Sequence, residues 1–253
     1  AAFNQLLGED KPGYMERLRP TITEAIQAIR TANGAAVLAH PALYGWCGNS
    51  PYIEPILIEK LLTYKAFGLQ GVEAFHGEAN KDQQEQIEAA ALVCGLIATC
   101  GSDDHGSHKE HAHLYTRGMC PETRDSVVVA AALIRGKNVA GEPGLLMTRR
   151  AGSRSSVGLW EYPGGKLESA ESPEACLARE LHEELRSEAK VGPLVTALYH
   201  DYGKNRVILL CYETELLGLP MLDPGIHDDL RYFSYEEARS INILPADLHV
   251  VDR

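Results

Sequence analysis

The chain has 253 residues, enough for one large domain or two of ordinary size. Its apolar content of 45% supports a globular core, and its formal net charge of −11 argues against stable binding to nucleic acid or anionic membranes, whose phosphates reward basic surfaces. No apolar run reaches membrane-spanning length and the start lacks a signal-peptide pattern, so a cytoplasmic protein is expected.

Over residues 1–122, helix-like and strand-like stretches alternate. PTITEAIQAIRTANG has helical spacing, with Ile22, Ala25, Ile26 and Ile29 on one face and Gly34 as a stop. AAVLAHP, LQGVEAFH and LIATCGSDDHG read as short buried strands, with KDQQEQIEAAALVCG an amphipathic helix between the last two. This is the α/β pattern, in which chemistry collects at the C-terminal ends of strands. His40, His76, Asp103 and His105 stand there, while His108, His111 and His113 follow in a polar stretch that reads as a solvated loop or helix face. Near HAHLYTRGMCPETRD the pattern changes to a linker, with a boundary near residue 122. Beyond it, SVVVAAALIR and LLMTRR read as strands joined by GKNVAGEPG. The cysteines at 47, 94, 100, 120, 176 and 211 form no C-x-x-C pair and read as buried free thiols.

Residues 160–185, WEYPGGKLESAESPEACLARELHEEL, carry the densest chemical signal. Ser172 can cap a helix, Pro173 suits its first turn and Glu174 suits the positive end of its dipole. Leu177, Leu181 and Leu185 recur as a buried stripe, while Glu180, Glu183 and Glu184, at i, i+3 and i+4, project from one face. Carboxylates that close repel one another and favour a cation, and an all-oxygen set suits Mg²⁺ or Mn²⁺ rather than Zn²⁺. Pro163-Gly164-Gly165 makes a tight turn that lets backbone approach a metal or phosphate. Taken alone, the glutamate spacing more often describes an acidic surface helix.

The run of Gly165, Glu171 and Arg179-Glu180-Leu181-His182-Glu183-Glu184 resembles the Nudix box, and SVVVAAALIR, LLMTRR and WEYPGGK resemble the MutT branch of that family over residues 123–253. The resemblance implies an α/β/α sandwich around a mixed sheet. It also implies Mg²⁺- or Mn²⁺-dependent attack of water on a phosphoanhydride, releasing a nucleoside monophosphate and pyrophosphate from a small-molecule nucleoside triphosphate. By position, Glu180, Glu183, Glu184 and the Gly164 carbonyl would be metal ligands, with Glu180 orienting or deprotonating the water. Arg179 reads as structural, able to pair with Glu183 or Glu171. Two departures stand out. Where the family has Gly and an aliphatic residue after the helix, this chain has Arg186-Ser187: either Arg186 ends the helix left-handed, at a cost on the order of 1 kcal/mol, or the helix runs on to Gly192-Pro193. In DPGIHDDLRYFS, Ile226 stands where MutT-like members often carry another acid, leaving Asp223 or Asp228 as replacements.

Arg149 and Arg150 end a strand beside the turn, where each can contact phosphates or simply face solvent, and Lys166 after the turn can do the same. Glu161 and Tyr162 align with family positions near the nucleotide, and Asp247 in NILPADLHVV with a position that helps read the base. An ionised Asp only accepts hydrogen bonds and prefers a donor edge such as the cytosine amino group, and the resemblance to MutT-type members implies a cytosine-type or oxidised (d)NTP as substrate. The alternative is that Asp247 merely caps a helix.

Within residues 1–122, KPGYMERLRPTITEAI, VLAHP, VEAFH and GSDDHG resemble, in order and spacing, the C-terminal half of a PHP-family phosphoesterase. A partial PHP-like (β/α) barrel is therefore expected ahead of the Nudix domain, with His40, Asp103 and His105 as ligands of its metal site and His76 at its pocket. The family's opening His-x-His and further ligands have no counterpart in this sequence, so the site is incomplete and no independent phosphoesterase activity is expected. Half a barrel exposes apolar surface and strand edges, which fits a piece of a longer protein or a degenerate remnant. Two rivals to the pyrophosphohydrolase remain: a PHP-type phosphoesterase acting on nucleotides or nucleic-acid ends, given an upstream barrel half, and a non-catalytic nucleotide-sensing protein. The sequence does not indicate an oligomeric state.

Overall fold

A computed structural model describes residues 5, 11–15, 19–101, 103, 125–152, 156–203 and 205–251. His105, His108, His111, His113, Cys120 and most of the expected linker lie outside the described residues.

The first half opens with α1 (Ile22–Thr31), started by a capping box in which Thr21 and Glu24 satisfy each other's amides. Of its expected apolar face only Ile26 is buried, whereas Ile22 and Ile29 stay 38% and 41% exposed. β1 (Val37–Leu38) is shorter than the AAVLAHP run because His40 turns left-handed, at φ 35°, into a 3₁₀ turn at Pro41–Tyr44. β2 (Tyr52–Ile53), α2 (Pro55–Ala66), β3 (Gly71–His76), α3 (Lys81–Val93) and β4 (Ile97–Gly101) follow. β1, β3 and β4 pair in parallel in that order, so α2 and α3 are crossovers of a βαβαβ unit.

The second half contains β5 (Asp125–Leu133), β6 (Arg135–Lys137), β7 (Pro143–Arg150), β8 (Trp160–Glu161) and β9 (Gly164–Lys166). The glutamate helix α4 (Pro173–Leu185) leads to β10 (Ala189–Asp201), β11 (Asn205–Leu216), β12 (His227–Phe233), α5 (Tyr235–Ala238) and α6 (Pro245–Val251). One mixed sheet has the order β2-β10-β11-β5-β9, with β5 and β11 parallel and its other pairs antiparallel. A second, antiparallel sheet runs β12-β7-β6, with β8 added to β7.

Strand alternation builds the sandwich. Ala130 and Ala132 of β5, with Ile208 and Leu210 of β11, pack on Leu177 and Leu181 of α4. Their neighbours Ala131, Leu133, Leu209 and Cys211 join Val250 and Val251 of α6. One face of the mixed sheet thus carries α4 and the other α6, which gives the expected α/β class and α/β/α layering.

The first half is part of this core. Ile53, Leu57, Ile87 and Ala90 belong to the same buried cluster as Leu177 and Ile208, and β2 extends the mixed sheet at β10. The Arg206 guanidinium, 2% exposed, reaches Glu88 of α3 at 2.7 Å and Ser126 at 3.0 Å.

Among the described cysteines, Cys47, Cys94, Cys176 and Cys211 are free. Cys100 is disulfide-bonded, which corrects the free-thiol expectation at an exposed strand end rather than within an apolar run. Among the described residues no helix is long and apolar enough to cross a membrane.

Candidate active site

The glycine turn enters β9, the edge strand paired with β5, and faces α4 there. Gly164 adopts φ 149° and lies so close to β5 that any Cβ would strike the Ala130 carbonyl. Its amide donates to Glu184 at 3.2 Å. Gly165 faces Glu180, where a Cβ would occupy the space of the carboxylate. The hydroxyl of Ser172 accepts from the Ala175 amide at 3.2 Å, and Leu177, Leu181 and Leu185 are buried as their spacing requires.

The helix ends at Leu185, with Arg186 left-handed at φ 50° and ψ 34°; it does not continue to Gly192. Its last carbonyls are satisfied from the following loop. The Asp223 amide donates to Glu184 O at 3.1 Å and the Met221 amide to Leu185 O at 2.7 Å.

Arg179 takes the structural role expected of it. Its guanidinium bridges Glu171 at 2.9 Å and Glu180 at 2.8 Å, with Glu183 3.8 Å away. Arg179, together with the Glu168 amide, pulls the Glu171 carboxyl down to about 2. Glu184 is the opposite case. Burial, reinforced by the charges of Glu161 and Glu180, pushes its carboxyl up to about 8, against the Gly164 amide and Arg150. Glu161 is held from both sides, by Arg150 at 2.6 Å and by Nε2 of His227 at 3.0 Å, and the same Nε2 lies 4.0 Å from Glu184.

One cavity of about 770 Å³ is lined by Gly164, Glu180 and Glu184 and also by Tyr162, Tyr202 and Asp247. Arg150, Glu161 and Lys166 also line it, so these expected substrate contacts share one space. Arg149 does not line it; its guanidinium bonds Asp228 at 2.7 Å and lies over the Trp160 ring. Ile226 lines the cavity, but Asp223 and Asp228 do not. Asp228 is taken up by Arg149, and Asp223 accepts from the Gly225 amide at 2.8 Å. Asp247 is buried rather than a solvated cap. It accepts from the Tyr162 amide at 2.9 Å, and burial pushes its carboxyl up to about 7.

Among the described residues no three His, Cys, Asp or Glu side chains are gathered closely enough to hold a metal ion. In the second half, Glu180 is drawn onto Arg179 and Glu183 is 55% exposed. The donor chemistry there still fits a hard divalent cation, since the buried Glu184 carries the repulsion of two neighbouring carboxylates that such an ion would offset. In the first half, the amide of His40 donates to Glu73 at 2.7 Å, and its ring lies edge-on to His76 at 5.6 Å. Nε2 of His76 is 3.6 Å from Asp103. His40, His76 and Asp103 are therefore neighbours, with Glu73 an addition that the sequence did not signal.

A family profile described as the NUDIX domain matches residues 125–253, about half of the chain. The chain belongs to the NUDIX domain family. Over 126 residues it is 32% identical to the CTP pyrophosphohydrolase of Escherichia coli strain K12, covering 49% of this chain and 87% of that protein. The second half is accordingly that of a Nudix hydrolase. Over 104 residues the chain is 36% identical to the 3',5'-nucleoside bisphosphate phosphatase of Chromobacterium violaceum, covering 41% of this chain and 34% of that protein. It thus spans about a third of that relative's length. Against the solution structure of the E. coli ORF135 protein the TM-score is 0.44 at 30% identity, covering 51% of this chain and 88% of that one.

Sequence reasoning missed two residues of the candidate site. His227 sat in a stretch searched only for a replacement acid, and its signal was a histidine opening a strand. Tyr202, in the turn between β10 and β11, carried no signal, because only the fold brings it to Asp247.

Proposed function

We propose that this chain is a Mg²⁺- or Mn²⁺-dependent pyrophosphohydrolase that cleaves a nucleoside triphosphate, of cytosine or oxidised type, to the monophosphate and pyrophosphate. The observation that carries the reading is the one cavity that the Glu180 and Glu184 carboxylates line together with Asp247, Tyr162 and Tyr202. That layout suits a ligand with a polyphosphate and a flat base.

Glu180, Glu183, Glu184 and the Gly164 carbonyl would hold the cation, which when bound polarises the phosphoryl oxygens and acidifies water. Water oxygen bonds to phosphorus, the anhydride P–O bond between the α and β positions breaks, and pyrophosphate leaves with the electron pair. Glu180 is our candidate for taking the water proton. Lys166 and Arg150 line the route of the phosphates, although Arg150 is already paired with Glu161. Asp247 bonds the Tyr162 amide through one oxygen, and the carboxylate belongs to the wall against which the base would lie. Such a substrate comes from the cytoplasmic nucleotide pool.

Pyrophosphate release from CTP, dCTP, dGTP and 8-oxo-dGTP with Mg²⁺ tests this reading. Glu183→Gln is the control, because the exposed Glu183 carries no packing. We expect release from at least one nucleotide and a loss of at least about 100-fold in the variant. Binding without release from any of them would leave the nucleotide-sensing alternative standing.

For residues 1–122 we propose descent from a PHP-type phosphoesterase without an activity of its own. The identity to the bisphosphate phosphatase fits a phosphoesterase origin, and the expected inactivity follows from the sequence, where residues 1–122 carry only His40, Asp103 and His105 of the family's ligand set. Phosphate release from a 3',5'-nucleoside bisphosphate that survives Glu183→Gln but is lost in His40→Ala would overturn it.

A further inference from the structure

The first half touches the Nudix half where the base would be read. β2 lies antiparallel to β10, with Tyr52 opposite Leu198 and Ile53 opposite Ala197. From that edge the Tyr52 hydroxyl donates to the His249 carbonyl at 2.6 Å. His249 belongs to the last turn of α6, whose carbonyls have no partner within the helix. The same helix carries Asp247, and its Ala246 amide donates to the Tyr202 hydroxyl at 3.3 Å. The His249 ring meets His200 at 3.1 Å, and His200 lies edge-on to Tyr202 with ring centroids 4.6 Å apart.

The entry of α6 is held within the second half of the chain, whereas its exit is held by both halves. Its entry is tied to β8, where the Leu244 amide donates to Trp160 O at 2.9 Å and the Trp160 amide to Asn242 O at 2.8 Å. Its exit is tied to Tyr52 and, within the second half, to Arg239, which reaches Val251 O at 3.2 Å. Tyr52 is itself delivered by a braced loop. The fully buried Gln86 of α3 donates to Gly48 O at 3.0 Å and Ser50 O at 2.8 Å, and accepts from the Gly48 amide at 3.3 Å.

We infer that Tyr52, a residue of the first half, is a positioning residue for base recognition in the Nudix half: it sets the seat of α6, and with it Asp247 and Tyr202. The inference rests on the proposed hydrolase reading for its substrate but not for its geometry. It gives the first half a function that needs no phosphoesterase chemistry. Because the strap acts at the base end and not at the carboxylates, its loss changes binding and base selectivity more than turnover.

The test is Tyr52→Phe, which keeps the ring and removes one hydroxyl. For the full chain we expect KM for CTP to rise about threefold to tenfold, the range a single lost hydrogen bond commands, with kcat within about twofold. The ratio of kcat/KM for CTP over dGTP should fall, and amide hydrogen exchange in α6 should quicken while exchange in α4 is unchanged. Unchanged KM, selectivity and α6 exchange would overturn the inference. So would a loss confined to kcat, or a uniform loss of stability without a selectivity change. If the unaltered chain releases no pyrophosphate, the hydrolase reading fails separately, and the exchange measurement with binding of α,β-methylene-CTP still decides the role of Tyr52.

Discussion

Two carboxyl groups in the cavity are held out of their ordinary range, Asp247 at about 7 and Glu184 at about 8, chiefly by burial. The sign of the consequence follows from proton counting. Between the unfolded value, 3.8 for an Asp, and the folded value, the folded chain binds a proton that the unfolded chain has released. The stability these two groups contribute is therefore greatest on the acid side and is lost as pH rises to their folded values. In metal-free buffer the urea midpoint should drop between pH 5.5 and 8.5. Asp247→Asn, which keeps an oxygen for the Tyr162 amide, should flatten that fall by up to roughly 2 kcal/mol, the share of its shift that lies above pH 5.5. An unaltered slope would show that Asp247 ionises freely. Gly165 makes a different demand. A Cβ there displaces the Glu180 carboxylate and not backbone, so Gly165→Ala should lower pyrophosphate release by more than about tenfold while the melting temperature moves little. A large fall in melting temperature with full residual activity would contradict that assignment.

At the scale of elements, the glutamate helix was the most legible part of the sequence. Its cap, its leucine stripe and its carboxylate face are local properties with a period of 3.6, and all three appear in α4. Its end was not legible, because two conformations of Arg186 fitted the same letters; the amides of Met221 and Asp223, supplied from 35 or more residues downstream, favour the left-handed one. Arg186→Gly relieves that strain and gives up only a loose, exposed approach of 3.9 Å to Asp223. Its stability should rise by about 0.5–1 kcal/mol in urea titration, with pyrophosphate release unchanged, the gain being limited by the extra freedom of glycine in the unfolded chain. α1 shows the opposite failure. Its apolar stripe was read correctly, but a stripe predicts burial only if something lies against it, and Ile22 and Ile29 remain open. Arg149 and His227 were obscured for a third reason. Their roles depend on cross-strand register, which places Arg149 opposite Asp229 and beside Asp228, and brings His227 across from Arg150.

For the whole molecule, the two halves cohere through a shared apolar cluster, a two-residue strand pairing and a buried ion pair, none of which is written in either half alone. The ion pair is the most asymmetric of these. Arg206 is 2% exposed while Glu88 is 21% exposed, so the guanidinium depends on its partner far more than the carboxylate does. Removing Glu88 strands a buried cation with, among the described residues, only Ser126 to receive it, whereas removing the cation leaves a carboxylate within reach of water. Glu88→Ala should therefore destabilise the protein by roughly 3 kcal/mol, and Arg206→Met, which fills the same space without charge, by well under half of that. Urea unfolding of the two single variants and the double variant separates the terms. If the double variant is no more stable than Glu88→Ala alone, the stranded charge is not the source of the loss and the halves are held by packing.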